Sequence, residues 1–195
     1  MGERALDSLV DVVDSVEGWL SREQAALLIE LAAAVPADEA IVEIGNYRGR
    51  STVALGLGAE LGGATVYSVD PHDVFAGARG GRFGPHDQAQ LYANLVRTSV
   101  GARVRVIGLR SQQVAQSWPQ RDVRLLFLDG DHRYAAVRGD YESWEPHLLP
   151  DAEVLFDDCD FTDVDRWIGE LVAAGRVRAI ERVGKLARCR RSASA

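Results

Sequence analysis

Five short apolar runs, each followed by a helix-forming segment, restrict the fold of this chain more than any other feature. Unbroken apolar strands that alternate with helices indicate a parallel sheet with helices on both of its faces. Two further runs, joined at Gly184, predict a closing hairpin that adds an antiparallel edge. The sequence therefore predicts an α/β fold with a Rossmann-like, doubly wound, mostly parallel sheet of seven strands. The five runs are AIVEIG (40–45), TVYSVD (65–70), VRVIG (104–108), VRLLFLD (123–129) and AEVLFDD (152–158).

The 195 residues suit a single domain, residues 1–195, that opens with a helical segment over 1–36. Ser21 and Gln24 have the spacing of a capping box, and Pro36 ends the helix that follows it. A long loop is predicted over 73–87, which holds four glycines and a proline. The basic and then small residues of 188–195 are expected to form a flexible tail. Helices are predicted within 5–20 and over 22–35, 50–61, 89–100, 111–118, 133–148 and 163–175.

The charge balance and composition exclude several classes of protein. With 22 basic and 29 acidic residues the formal net charge is −7, which argues against nucleic-acid binding because that binding depends on cationic contacts to phosphate. No apolar run approaches the ~20 residues that span a bilayer, and the acidic N-terminus lacks the layout of a signal peptide. Cys159 and Cys189 are the only cysteines, so we expect a reducing, cytoplasmic location.

The first predicted strand ends in a turn with two glycines, Gly45 and Gly49. Gly45 allows a tight turn, and Gly49 allows a ligand to approach the start of the next helix. Tyr47 stands where the dinucleotide pattern G-x-G-x-x-G requires a glycine, which disfavours an NAD-linked oxidoreductase. Glu43 suits a sulfonium or an amine better than a pyrophosphate. A purely structural turn is the alternative interpretation of this motif.

Asp70 stands at the end of the second predicted strand, 27 residues after Glu43. A carboxylate at this position of a doubly wound sheet is the usual partner of ribose hydroxyls. The glycine turn and Asp70 together predict a ligand that contains a ribose.

Acidic residues follow the fourth and the fifth predicted strands. Asp129, Asp131 and His132 come after the fourth strand, and Asp157 and Asp158 end the fifth. Neighbouring strands lie about 4.8 Å apart, so these carboxylates can converge on one hard cation such as Mg²⁺. Without a counter-charge they would repel one another strongly. The alternative is that these aspartates cap helices.

Taken together, these segments resemble the class I S-adenosylmethionine-dependent methyltransferases. More narrowly, the chain is similar to the metal-dependent O-methyltransferases that modify sugars of macrolides and aminocoumarins, and to the cephalosporin-hydroxylase-like branch. The resemblance covers roughly residues 18–160, and DG-x-H-x-Y followed by an Asp-rich strand end is its most specific part. The chain departs from the family at 150–152, where Pro-Asp-Ala replaces Pro-Gly-Gly. The resemblance rests on IVEIGNYRGRST, VYSVDPHD, LLFLDGDHRYAAVRGDYESW and LLPDAEVLFDD.

The resemblance implies S-adenosylmethionine as the cofactor and Mg²⁺ as the metal. The loop after the first strand would hold the methionine end of the cofactor, Asp70 would bind the ribose, and Ser111 and Gln112 would lie near the adenine. Asp129, Asp157 and Asp158 would bind Mg²⁺. The implied cofactor-binding residues are Glu43, Gly45, Asn46, Gly49, Ser51, Asp70, Ser111, Gln112 and Asp129.

The implied reaction is methyl transfer to a hydroxyl of a sugar, a glycoside or the end of an oligosaccharide. Mg²⁺ would acidify the hydroxyl, and His132 or Asp131 would take its proton. We favour His132, because its unperturbed pKa of about 6.5 suits a base near neutral pH. Two alternatives are a catechol-type O-methyltransferase that acts on an aromatic diol and a non-catalytic subunit that only binds S-adenosylmethionine.

The acceptor is expected under a lid formed by the 73–91 segment and its neighbours, in contact with Phe75, Phe83, His86 or Tyr92. The four tryptophans, at positions 19, 118, 144 and 167, are expected in the core or at an oligomer contact. We expect a homodimer, since pairing would shield the lid and the N-terminal helix.

Overall fold

A seven-stranded sheet runs through the centre of the computed structural model, which describes residues 2–77, 81–119 and 122–193. The strands in chain order are β1 (Ala40–Ile44), β2 (Thr65–Val69), β3 (Phe75–Ala76), β4 (Arg82–Phe83), β5 (Val104–Ile107), β6 (Val123–Leu128), β7 (Leu148–Phe156), β8 (Val177–Val183) and β9 (Leu186–Arg191).

The strand order in the sheet is β5-β2-β1-β6-β7-β9-β8, and β3 and β4 form a separate hairpin. The strands from β5 to β7 are parallel, whereas β9 pairs antiparallel with both β7 and β8. The predicted doubly wound sheet with an antiparallel edge hairpin is therefore confirmed. The strand order reverses between β1 and β6, which is where open α/β sheets bind ligands, beyond the carboxyl ends of the strands.

Helices cover both faces of the sheet. The predicted capping box is present: Ser21 N donates to Gln24 Oε1 (2.8 Å), and Gln24 N donates to Ser21 Oγ (3.3 Å). Its helix is α2, and Gln24 also reaches the last strand hairpin by donating from Nε2 to Val183 O (3.1 Å). The helices of the described residues are α1 (Glu3–Asp14), α2 (Arg22–Ala33), α3 (Arg50–Gly62), α4 (Pro85–Arg97), α5 (Ser111–Gln116), α6 (Tyr134–Trp144) and α7 (Thr162–Ala173), with a 3₁₀ turn over Glu145–His147.

The sheet separates two hydrophobic cores. Successive side chains of a strand point to opposite faces, so Leu125 and Phe127 of β6 enter one core while Leu126 and Leu128 enter the other. Helices α1 to α4 cover the first core, and α5 to α7 cover the second. Because both faces are covered, the carboxyl ends of the parallel strands are the place left for a site.

The segment predicted as a long loop over 73–87 contains more regular structure than expected. It holds the β3–β4 hairpin and the first turn of α4, which begins at Pro85 rather than near residue 89. Proline is well suited to the first position of a helix, and Asp87 accepts a hydrogen bond from Gly84 N (3.1 Å). Residues 78–80 of the predicted loop lie outside the described residues.

The helix predicted over 133–148 is shorter, and the next strand is longer, than the sequence indicated. Helix α6 ends at Trp144, and β7 begins at Leu148 instead of 152. The Pro-Asp-Ala turn lies within β7, where Asp151 adopts a left-handed backbone with a φ of 57°. Asp151 thus takes the conformation that glycine adopts most easily.

The flexible tail predicted over 188–195 is wrong for its first part. Residues 188–191 belong to β9, where Arg188 Nε donates to Glu153 Oε2 of β7 (2.9 Å) and Cys189 is buried. Arg188 and Arg190, which suggested a solvated tail, are instead paired with Glu153 across the sheet. Residues 194 and 195 lie outside the described part of the chain.

Within the described ranges, no helix is both long and apolar enough to cross a bilayer. The cytoplasmic location and the homodimer stay predictions.

Candidate active site

A cavity of about 730 Å³ opens at the carboxyl ends of β1, β2, β6 and β7. It lies at the reversal of strand order, as the doubly wound topology requires. Most of the residues singled out from the sequence line this one cavity. These are Gly45, Asn46, Ser51, Asp70, Ser111, Gln112, Asp129, Asp131, His132, Asp157 and Asp158.

Glu43 does not line the cavity, in contrast to the predicted contact with the cofactor. It is fully buried in β1, where its Oε2 accepts hydrogen bonds from Thr52 Oγ1 (2.6 Å) and Ser68 Oγ (2.7 Å). Asn46 Nδ2 donates to the same Ser68 Oγ (2.8 Å). Glu43 therefore supports the loop from below instead of lining the cavity.

Burial raises the pKa of Glu43 from 4.5 to about 7. Because the folded-state pKa lies above the unfolded value, the stability that Glu43 contributes is complete below about pH 4.5 and is lost as the pH rises through 7. We expect the free energy of unfolding of Glu43→Gln, relative to that of wild type, to increase by about 1–3 kcal/mol when the pH is raised from 5 to 8. Urea unfolding at the two pH values measures this, with Glu30→Gln on the exposed side of α2 as the control. A difference between Glu43→Gln and wild type that does not change with pH would contradict the expectation.

Glycine is required at the two positions of the first loop for different structural reasons. Gly45 has a φ of 83°, and a Cβ there would lie 2.2 Å from the carbonyl oxygen of Asp129, so this loop packs directly on the end of β6. Gly49 has a φ of 87°, and its Cβ would meet Leu91 Cδ1 of α4 at 2.5 Å. Gly49 does not line the cavity. The prediction that Gly49 allows a ligand to approach is therefore corrected. Glycine at this position makes room for helix α4 instead.

Asp70 connects two loops at the cavity wall. Its Oδ2 accepts a hydrogen bond from Asn46 N (3.1 Å), and its Oδ1 accepts one from His72 N (2.8 Å). The carboxylate is thereby held at the end of β2, on the wall where a ribose was predicted. The contact with ribose stays a prediction.

The wall formed by α5 and α6 contains a polar pair that the sequence analysis missed. Gln112 Nε2 donates to Asp140 Oδ1 (2.8 Å), and Trp144 Nε1 donates to Ser111 Oγ (3.0 Å). Burial raises the pKa of Asp140 to about 6. Asp140 lies in the middle of an amphipathic helix, and no local motif distinguished it.

Asp129, Asp157 and Asp158, together with His132, form the acidic cluster. One ligand atom each of Asp129, His132 and Asp157 lies within 4.8 Å of the others. His132 Nε2 is 3.6 Å from Asp129 Oδ1, and His132 Nδ1 is 3.6 Å from Asp158 Oδ2. The His132 ring stacks on Phe161, with 5.5 Å between the ring centroids. Burial lowers the pKa of His132, but the contact with Asp129 outweighs it and the pKa is raised. The burial of Asp129 and the charge of Asp157 raise the pKa of Asp129.

Asp131 is engaged elsewhere. Its Oδ1 accepts a hydrogen bond from Arg133 N (3.2 Å), and its Oδ2 accepts one from Arg133 Nη1 (2.6 Å). Asp131 thus binds the N-cap residue of α6, which itself has no side-chain cap. Asp163 of α7 accepts a hydrogen bond from Tyr134 N at the start of α6 (3.0 Å).

Lys185, the only lysine of the chain, supplies a counter-charge that the sequence analysis did not assign to this site. It lies in the β8–β9 turn, and its Nζ donates to Asp157 Oδ2 and to Asp158 Oδ1 (2.7 Å). Asp158 is paired with Lys185, whereas the ligand atoms that converge belong to Asp129, His132 and Asp157. Binding of Mg²⁺ by Asp129, Asp157 and Asp158 stays a prediction.

Four aromatic rings form one wall of the cavity. Trp19 stacks on Tyr47 (5.0 Å between centroids), and Phe75 stacks on Phe83 (5.0 Å). Tyr47 and Phe83 meet edge to face at 5.4 Å and join the two pairs. Trp19 is 66% exposed at the rim of the cavity and is therefore not in the core, whereas an oligomer contact of Trp19 stays a prediction.

Of the other residues predicted at the lid or in the core, some lie where they were expected and others do not. Phe75 and Phe83 line the cavity as expected, whereas His86 and Tyr92 do not, and Tyr92 lies in a separate groove beside β5. Both residues belong to helix α4. The tryptophans at 118, 144 and 167 pack in or against the second core, as expected.

A family described as a methyltransferase domain matches residues 42–159, which is more than half of the chain. The match spans β1 to β7 and thus the strands whose ends form the cavity. The chain belongs to this methyltransferase domain family and is an enzyme of the methyltransferase class.

Solved structures of methyltransferases share the fold. A putative caffeoyl-CoA O-methyltransferase from Staphylococcus aureus is 14% identical, with a TM-score of 0.70 over 97% of this chain and 91% of that chain. An O-methyltransferase from Bacillus cereus in complex with SAH (S-adenosylhomocysteine) is 19% identical, with a TM-score of 0.65 over 98% and 92%. The O-methyltransferase TomG from Streptomyces achromogenes, involved in tomaymycin synthesis and in complex with SAM, is 16% identical, with a TM-score of 0.65 over 98% and 91%. The class I methyltransferase fold expected from the sequence is therefore confirmed.

Proposed function

We propose that this chain is an S-adenosylmethionine-dependent O-methyltransferase that methylates a hydroxyl of a sugar or glycoside, with Mg²⁺ beside the acceptor. The observation that carries the proposal is the contact between the Gly45 loop and Asp129, where a Cβ would lie 2.2 Å from the carbonyl oxygen. A cofactor bound by that loop lies beside the acidic cluster. A methyl donor and an acid–base group can then act on one hydroxyl.

The cofactor would lie along the ends of β1 and β2 and the start of α5. Asp70 would bind the ribose, and Ser111 and Gln112 would lie near the adenine. Asn46 and Ser51 would face the methionine end, above the buried Glu43. The proposal is supported by structural relatives that are described as complexes with SAH and SAM.

The residues of the acidic cluster fit a divalent cation. Asp157 is 3% exposed. Among the described residues, neither Asp157 Oδ1 nor His132 Nε2 has a hydrogen-bond partner. Asp129 and Asp157 would hold Mg²⁺ through carboxylate oxygens, the donors that Mg²⁺ prefers. When bound, the cation would make the acceptor hydroxyl more acidic.

His132 would take the proton of the acceptor hydroxyl. Asp158 faces Nδ1 at 3.6 Å and Phe161 stacks on the ring, so Nε2 is directed toward the cluster. Both oxygens of Asp131 already accept hydrogen bonds from Arg133. This geometry favours His132 over Asp131 as the base.

The aromatic wall of Trp19, Tyr47, Phe75 and Phe83 would bind the acceptor. The apolar face of a sugar ring packs on such side chains, and the exposed Trp19 is available for it. The same wall also suits a flat ring, and one structural relative is described as a putative caffeoyl-CoA O-methyltransferase. A catechol-type O-methyltransferase is therefore the second candidate function.

A methyl-transfer screen tests the proposal. Labelled S-adenosylmethionine is incubated with the protein and with sugars, glycosides or catechols, in Mg²⁺ or in excess EDTA. We expect transfer to a sugar or glycoside in Mg²⁺ and its loss in EDTA. Transfer to catechols alone would assign the second candidate function. Full activity in EDTA would exclude the metal, and cofactor binding without any transfer would indicate a non-catalytic subunit.

Asp70→Ala is expected to weaken S-adenosylmethionine binding by about 10- to 100-fold, because a hydrogen bond to a charged group contributes about 1.5–3 kcal/mol. Calorimetry with S-adenosylmethionine and with S-adenosylhomocysteine measures the loss. Asp165→Ala is the matched control, since Asp165 is exposed, pairs with an arginine, Arg182, and lies outside the cavity. Unchanged affinity in Asp70→Ala would remove Asp70 from the cofactor site.

A further inference from the structure

Lys185 is held at the acidic cluster by both its side chain and its backbone. Its Nζ binds Asp157 and Asp158, and its carbonyl oxygen accepts a hydrogen bond from Cys159 N (2.8 Å). The antiparallel pairing of Phe156 with Ala187 brings the β8–β9 turn to the end of β7. The hairpin therefore delivers the ammonium group to the same strand end at which a metal was predicted.

The ammonium group is a permanent charge in this position. Lysine is positively charged at neutral pH, and Nζ of Lys185 lies against two carboxylates, those of Asp157 and Asp158. Three carboxylates, those of Asp129, Asp157 and Asp158, thus face one fixed cation. The cluster is partly neutralised before any divalent ion arrives, which removes much of the repulsion that it would otherwise contain.

The ammonium group also limits which atoms are left for a divalent ion. It binds Oδ2 of Asp157 and Oδ1 of Asp158. Oδ1 of Asp157 is left, which is buried and has no hydrogen-bond partner in the part of the chain that the structure describes. A divalent ion at Asp129 and Asp157 would lie close to a like charge. In a partly buried site this repulsion is screened much less than in bulk water.

We propose that Lys185 is a built-in counter-cation that keeps the acidic cluster folded without metal and weakens its affinity for divalent cations. The proposal rests on the metal site of the proposed function. It predicts a protein that is stable without metal and that binds Mg²⁺ weakly and reversibly. Removing the charge would take away the repulsion between Lys185 and the ion and convert the cluster into a tight site that depends on metal for stability.

Lys185→Met in the full chain tests this, with Mg²⁺ and Mn²⁺ titrated by calorimetry in the absence of cofactor. We expect Lys185→Met to bind at least ~10-fold more tightly than wild type, because it removes a like charge near the ion. We also expect its melting temperature to fall in EDTA and to recover in excess Mg²⁺, whereas EDTA leaves that of wild type unchanged. Lys185→Arg keeps the charge and is expected to follow wild type.

Arg182→Met is the matched control, since Arg182 lies on the same hairpin but pairs with Asp165 outside the cluster. Affinity in Lys185→Met equal to or below that of wild type would overturn the proposal. If Lys185→Met does not fold in EDTA, folding in excess Mg²⁺ supports the proposal and failure in both overturns it. A wild type that binds no Mg²⁺ and is fully active in EDTA would refute the metal role in the proposed function. Tight binding gained by Lys185→Met would still support the role of Lys185.

Discussion

Replacing His132 with alanine is expected to lower kcat by ~10²-fold or more while cofactor affinity stays close to that of wild type. His132 lies between Asp129 and Asp158, 3.6 Å from each, and stacks on Phe161. An imidazole held in this way can take the acceptor proton as the methyl group is transferred. Initial rates at saturating acceptor measure the loss of kcat, and calorimetry with S-adenosylhomocysteine measures the affinity.

Three comparisons separate a role in proton transfer from a structural role. Added imidazole should restore part of the rate of His132→Ala, because it can take the proton in place of the lost side chain. If the variant were slow only because of a packing defect, added imidazole would not restore the rate. His86→Ala should behave as wild type, because His86 is 60% exposed and lies outside the cavity. Asp131→Asn should stay within a few-fold of wild type, since Arg133 already binds its carboxylate. The opposite pattern, with His132→Ala active and Asp131→Asn inactive, would make Asp131 the base.

Gly45→Ala is expected to lower the free energy of unfolding by about 3 kcal/mol or more and to abolish cofactor binding. Gly45 has a φ of 83°, and its new Cβ would lie 2.2 Å from the backbone oxygen of Asp129. Neither backbone can move easily, because Asp129 N donates to Ile44 O (2.8 Å). Urea unfolding and calorimetry with S-adenosylhomocysteine measure the two losses.

Gly169→Ala is the matched control for that change. A Cβ at Gly169 has no atom within 4 Å, and Gly169 lies inside helix α7. Alanine is the better helix former, so a gain of about 0.5–1 kcal/mol is expected there. A Gly45→Ala protein with normal stability and normal affinity would show that the loop can shift away from β6.

The architecture was predictable from the sequence because local patterns determine it. All five parallel strands and the closing hairpin were predicted, since unbroken apolar runs ending in glycine or aspartate have few other structures available. Boundaries were less accurate where a proline had two interpretations. Pro85 begins α4 although it suggested a loop, and β7 starts at Leu148, before Pro150.

The position of the site was also predictable, because the carboxyl ends of parallel strands meet at one edge. Gly45, Asp70, Asp129 and Asp157 follow four different strands and line one cavity. Their spacing in the sequence, together with the topology, was sufficient for this. The roles of Glu43 and Gly49 could not be predicted from the sequence, because a residue beside a strand end can face the cavity or the core. The structure turns both away from the cavity.

Only the tertiary structure decided what faces the acidic cluster and the acceptor wall. Lys185 lies 27 residues after Asp158, and it reaches the cluster because β9 pairs antiparallel with β7 in one register. Trp19 reaches the cavity rim because Tyr47 and Phe83, from other segments, form a surface on which it packs. The strand pattern of the sequence determined that carboxylates gather at one edge of a sheet. The cation that balances them and the rings beside them come from distant segments, and their contacts depend on strand register and loop packing.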